Sequence, residues 1–142
     1  MKALVLLAVL AAPAYADDVS GSYDVKVDEV PTNCPNAVHY PASMVVKIAV
    51  RGGTLQVDLD VTPTMTGTPS KTGKINARSK LVSVPRVAGM LGTFSVGGRV
   101  ASDGLLSLVM NGEFQTADKR PLCTQSWNLA GVKQDAAKPK KP

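Results

Sequence analysis

Histidine is almost missing from this chain and cysteine is scarce: 142 residues include one histidine, His39, and two cysteines, Cys34 and Cys123. A metal site built on two cysteines needs further ligands that the chain does not supply, so no metal site is expected. Nucleophilic catalysis of the common kind needs a Ser or Cys beside a histidine that a carboxylate orients. Only His39 is available, in Ala37-Val38-His39-Tyr40-Pro41, and it reads as a surface loop residue. No enzyme, no catalytic residue and no cofactor are therefore expected. Aromatic residues make up 4% of the chain, few for a pocket specialised in ring-shaped ligands. No stretch after the first sixteen residues keeps a helical apolar stripe, which excludes a helix bundle and an α/β fold. The longest apolar run, Ala3 to Ala12, is roughly ten residues against the ~20 that a spanning helix needs, so no membrane span is expected.

That short run has its own meaning. Lys2 precedes it, and Ala14-Tyr15-Ala16 places small residues at both recognition positions of a signal peptidase site before Asp17. Residues 1–16 are thus expected to be a cleaved signal peptide, with the chain exported to the periplasm or the extracellular space. No cysteine follows the cleavage point, so lipoprotein anchoring is not expected. Residues 17–132 are enough for one domain. Residues 133–142, ending Lys138-Pro139-Lys140-Lys141-Pro142, read as a disordered basic tail. Much of the +5 formal charge sits there, leaving eleven basic and ten acidic residues between Asp17 and Val132. A near-neutral body argues against a nucleic-acid partner. The tail reads as a solubilising end or as a weak contact with an anionic envelope surface.

The rest of the chain alternates with period two and is read as all-β. Tyr23, Val25 and Val27 share one face of a first strand over 22–30. Strands over 44–51 and 54–61 flank Gly52-Gly53, a pair suited to a two-residue hairpin turn. Setting Arg51 opposite Thr54 puts Val50, Ile48, Val46 and Met44 against Leu55, Val57, Leu59 and Val61, and Lys47 against Asp58 on the other face. A second hairpin joins Phe94–Val100 to Leu106–Phe114 through a three-residue loop, with Gly104 left-handed and Val100 opposite Leu106. Residues 65–68 suggest a short strand. Residues 74–84 are extended, with a parity shift that predicts a bulge at Ser79–Leu81. Pro85–Leu91 suggests one short helical turn, and 122–132 a last strand.

Seven or eight strands with short connections predict an antiparallel up-and-down meander, closed or nearly closed into a barrel. Two cysteines in an exported chain predict a Cys34–Cys123 disulfide. Cys34 follows the first strand and Cys123 opens the last, points that closure brings side by side; a two-sheet sandwich satisfies the same distance. Gly21-Ser22-Tyr23 at the start of strand one resembles the lipocalin Gly-x-Trp, with tyrosine for tryptophan. The architecture as a whole resembles the calycin type of small secreted barrel, to which lipocalins and avidins belong. The lipocalin Thr-Asp-Tyr element, late arginine and final helix are not found.

The inner face assigned by parity carries Tyr23, Met65, Phe94, Met110, Phe114 and Trp127, with Gly98, Gly112 and Ala77 leaving space. Gln125 is a polar point, and Val87, Met90 and Leu91 are placed to cover an entrance. Tyr23, Met65, Met90, Phe94, Gln125 and Trp127 are the candidate ligand-binding residues, and the same side chains also read as plain core. Asp58 and Asp60 read as solvated exterior, and Gly97-Gly98 precedes no helix and is no phosphate cradle. The leading expectation is an exported barrel binding a small hydrophobic or lipid-like ligand without chemistry. The alternative is a ligandless cell-envelope or secreted module contacting protein or polymer through its outer surface or tail.

Overall fold

The computed structural model describes residues 19–134 apart from 36, 85 and 86. The expected signal peptide and the chain beyond Gln134 lie outside the described residues. Nine strands follow in order: β1 (Gly21–Glu29), β2 (Ser43–Arg51), β3 (Thr54–Leu59), β4 (Met65–Gly67), β5 (Lys74–Arg78), β6 (Val82–Ser83), β7 (Met90–Val100), β8 (Leu105–Thr116) and β9 (Pro121–Lys133). No helix occurs among the described residues. All pairings are antiparallel. Apart from β5 and β6, consecutive strands pair with each other; β1 pairs with β9 and β5 with β7, so hydrogen bonds run round a closed ring. Closure removes the free sheet edges that an open meander would present.

Both hairpins have the registers that the alternation dictates. Arg51 faces Thr54, Val50 faces Leu55 and Lys47 faces Asp58. Gly52 and Gly53 take positive φ angles of 55° and 77° to make the turn. The expected pairing of Met44 with Val61 does not form, because β3 ends at Leu59, where a turn bonds Thr62 N–H to the Leu59 carbonyl ahead of Pro63. Val61 is accordingly exposed. In the second hairpin Val100 faces Leu106, and Gly104 has φ 85°.

The ninth strand arises from the predicted bulge. β5 and β6 both lie against β7, Arg78 opposite Ser95 and Val82 opposite Gly92, so three residues between them, Ser79 to Leu81, face two, Thr93 and Phe94. Ser79 bridges the irregularity: its N–H donates to the Phe94 carbonyl at 2.7 Å and its hydroxyl accepts from Phe94 N–H at 2.9 Å. No helical turn occurs over residues 87–91, and Pro85 and Arg86 of the expected turn lie outside the described residues. Val87–Gly89 is a bend and turn, closed by Met90 N–H on the Val87 carbonyl with Gly89 at φ 75°, and Met90 and Leu91 already belong to β7. At the other end of the chain, β9 includes Lys133, and Gln134 N–H donates to the Ser22 carbonyl. The sheet therefore reaches into the segment expected as tail.

Alternate residues of every long strand point inward and form one hydrophobic core. Cys34 and Cys123 are disulfide-bonded with Cα atoms 5.4 Å apart and lie 89 positions apart in sequence. In the chain-entropy model a loop of that length stabilises the fold by about 4–5 kcal/mol. A disulfide fits an oxidising compartment. No helix among the described residues is long and apolar enough to cross a membrane.

Candidate functional site

The six candidate ligand-binding residues are all buried and belong to the inward face of the ring. Tyr23, Met65 and Trp127 are 0% exposed, Gln125 2%, Phe94 4% and Met90 5%. Tyr23, Met65 and Trp127, with no exposed surface, have neighbours packed against them on every side. The positions expected to leave space are occupied by neighbours. A Cβ on Gly112 would lie 2.9 Å from the Phe114 ring and 3.3 Å from that of Phe94, which meet edge to face with centroids 5.9 Å apart. A Cβ on Gly98 would lie 2.0 Å from the Ser107 carbonyl oxygen. These glycines let rings and strands approach closely; the volume they release is filled.

Both ends of the ring are covered. At the end where β1 begins, the Tyr23 hydroxyl donates to the Val19 carbonyl at 2.7 Å, tying the incoming chain beneath a buried Val19. At the other end the connection from β1 to β2 folds over the core, with Val38 and Tyr40 packed on it. The disulfide fixes it at Cys34. Gln125 holds it at Val38 through two hydrogen bonds. Tyr40 rests on Trp127, ring centroids 4.9 Å apart and tilted by 42°. Burial of Tyr40 pushes its pKa up to about 12. Gln125, read from sequence as a polar point for a ligand, is thus engaged with backbone of the same chain. Met90, read as part of an entrance cover, is a buried strand residue.

Two buried side-chain polar atoms among the described residues have no hydrogen-bond partner. The buried Trp127 indole N–H finds no acceptor to donate to, and the buried Thr62 hydroxyl has no partner either. An unmatched buried donor costs roughly 1–3 kcal/mol. His39 is exposed, and its Nδ1 lies 2.9 Å from a Glu29 carboxylate oxygen. Asp58 accepts a hydrogen bond from the Thr64 hydroxyl, and Asp60 is exposed. No cluster of three or more potential metal ligands occurs among the described residues.

The outer surface holds what the charge totals concealed. A groove of about 410 Å³ runs along β4 and β5, lined chiefly by Thr66, Thr68, Ser70, Lys74, Asn76 and Arg78. The signal for it was present in the order of charges: no Asp or Glu occurs between Asp60 and Asp103. Comparisons of the chain with protein-family models, with curated proteins and with solved structures find no match.

Proposed function

We propose that this chain is an exported, non-enzymatic interaction module that works through the outer surface of its strand ring. The observation that carries this reading is the packed interior: the side chains best suited to hold a hydrophobic guest fill one another's space, and both ends are covered by the chain itself. Such an interior makes a rigid support on which outward-pointing residues keep fixed spacings, about 6.6 Å between alternate positions on one strand. The disulfide suits a module exposed to an oxidising medium.

A second reading is favoured by the Trp127 nitrogen alone. A lipid-like ligand with a polar acceptor would satisfy that donor if the β1–β2 connection swung aside. Native mass spectrometry of the purified protein, followed by solvent extraction, separates the two. The outer-surface reading expects the mass of the oxidised polypeptide alone, no extractable lipid and no change in Trp127 emission with a fluorescent fatty acid. A lipid released in stoichiometric amount, or saturable quenching of Trp127, would overturn it.

A further inference from the structure

The ring is electrically two-sided. Outward positions of β1, β2 and β3 and the turn after them carry Asp24, Asp28, Glu29, Asp58 and Asp60 against Lys26, Lys47 and Arg51. Across β4 to β7 the described charged residues are Lys71, Lys74, Arg78, Lys80 and Arg99, all cationic and all exposed. The nearest acids belong to flanking elements. Glu113 on β8 lies 3.3 Å from Arg78, in a pair whose side chains are both more than half exposed, and Asp103 accepts from Leu105 N–H in the β7–β8 turn. One side carries a net −2 and the other +5, and pooling them with the remaining charges brings the body to +1, which is why net charge gave no sign of them.

The cations are arranged along one track. Lys74, Asn76 and Arg78 point outward from β5; Arg99 on β7 is opposite Lys74, and Thr66 on β4 is opposite Arg78. Gly97, opposite Asn76, is exposed with open space where a side chain would stand, so nothing obstructs the approach between them. Lys74 and Arg78 are four residues apart on a strand, about 13 Å. Between them lie the hydroxyls and carboxamide of the groove.

The geometry points to this wall as a docking surface for an acidic polysaccharide, a chain of sugars bearing carboxylates. This rests on the outer-surface reading and names its partner. The cations are complementary to repeated carboxylates, and Thr66, Thr68, Ser70 and Asn76 supply donors and acceptors for sugar hydroxyls. Other polyanions fit the wall less well. Every described aromatic is buried or half-buried, so none is offered on this wall for stacking the bases of single-stranded nucleic acid. No helix among the described residues protrudes to enter the major groove of a duplex.

The test is fluorescence anisotropy with labelled polygalacturonate, with neutral dextran, a single-stranded oligonucleotide and anionic phospholipid vesicles as alternatives. The oxidised protein is expected to bind polygalacturonate in low salt, to lose it as salt screens the charges, and to bind dextran not at all. Lys74→Gln with Arg78→Gln should weaken binding at least ~10-fold, the factor that about 1.4 kcal/mol represents. Lys26→Gln with Lys47→Gln on the opposite side should not change it, and nor should replacing Lys138, Lys140 and Lys141 by Gln. Circular dichroism and Trp127 emission check that each variant is folded. Absence of binding in low salt, tighter binding of oligonucleotide or vesicles, or loss of binding in the tail variant but not the wall variant would overturn the proposal. A failure with polygalacturonate leaves the outer-surface reading standing, because that reading is decided by the absence or presence of a lipid in the native mass.

Discussion

Gln125 grips Val38 by both ends of its side-chain amide: Val38 N–H donates to Oε1 at 2.9 Å, and Nε2 donates to the Val38 carbonyl at 2.7 Å. The pair is 87 residues apart in sequence and imitates a strand pairing inside one end of the ring. A backbone segment crossing an apolar core has no other way to satisfy both its groups without admitting water. Gln125→Leu keeps the volume but removes both partners. Unfolding free energy in urea is expected to fall by roughly 2–3 kcal/mol, since two backbone groups lose their bonds. Acrylamide quenching of Trp127 should rise as Tyr40 lifts away from it. Unchanged stability and quenching would mean that the disulfide alone holds the connection in place.

Ser79 performs a comparable task at the bulge, where its hydroxyl is the acceptor for the buried Phe94 N–H. Ser79→Ala leaves that donor unmatched, at a cost of about 1–3 kcal/mol. Amide hydrogen exchange supplies a local readout. Phe94 N–H is expected to exchange faster by a larger factor than Val96 N–H, which remains within the β7 ladder. Equal acceleration at both would indicate general destabilisation and not the loss of one acceptor.

These two residues also mark the boundary between what could be read in the amino acids and what could not. The bulge shows as a change of parity between Ala77 and Val82, because a strand with one face in a core must keep apolar residues in step with the pleat. The first hairpin is legible for the same reason, with Gly52-Gly53 and the Lys47–Asp58 pair agreeing on one register. Gln125 is different: an inward polar residue looks identical in sequence whether it meets a ligand or the backbone of a distant loop, and only the fold of 30–42 decides. Gly98 and Gly112 misled because a missing side chain makes a cavity only when neighbours stay out, and here Phe94, Phe114 and the Ser107 carbonyl move in. The basic wall was hidden by summation, since charge was counted over the body and not along the order of strands.

The adjacent glycines Gly97 and Gly98 give the sharpest contrast. Gly97 points outward, with nothing within 4 Å of where a Cβ would stand. Gly98 points inward, and its Cβ would meet the Ser107 oxygen at 2.0 Å and the Leu108 Cα at 2.9 Å, both backbone atoms of the paired strand. Backbone in a hydrogen-bonded ladder cannot yield as a flexible side chain can. Gly97→Ala is expected to leave the thermal midpoint unchanged or raise it, by up to roughly 1 kcal/mol of added stability, as the unfolded chain loses freedom. Gly98→Ala should cost more than about 4 kcal/mol or prevent folding. Similar midpoints for the two variants would show that β7 and β8 can separate there at little cost.

Tyr40 gives the fold a sensitivity to alkali. Burial against Trp127 disfavours the phenolate and raises the pKa from the ordinary 10.0 to about 12. In the unfolded chain the hydroxyl ionises at its ordinary value, so below pH 10 the group adds nothing to the pH dependence. Between pH 10 and 12 the unfolded state releases a proton that the folded state retains, and stability falls as pH rises through that window. Tyr40→Phe removes this ionisation while keeping the ring on Trp127. Its unfolding free energy should therefore decline less steeply between pH 10 and 12 than that of the unaltered protein, with both nearly parallel from pH 7 to 9. Urea titrations at one-unit intervals measure the two slopes, and equal slopes above pH 10 would show that Tyr40 ionises freely without leaving its place.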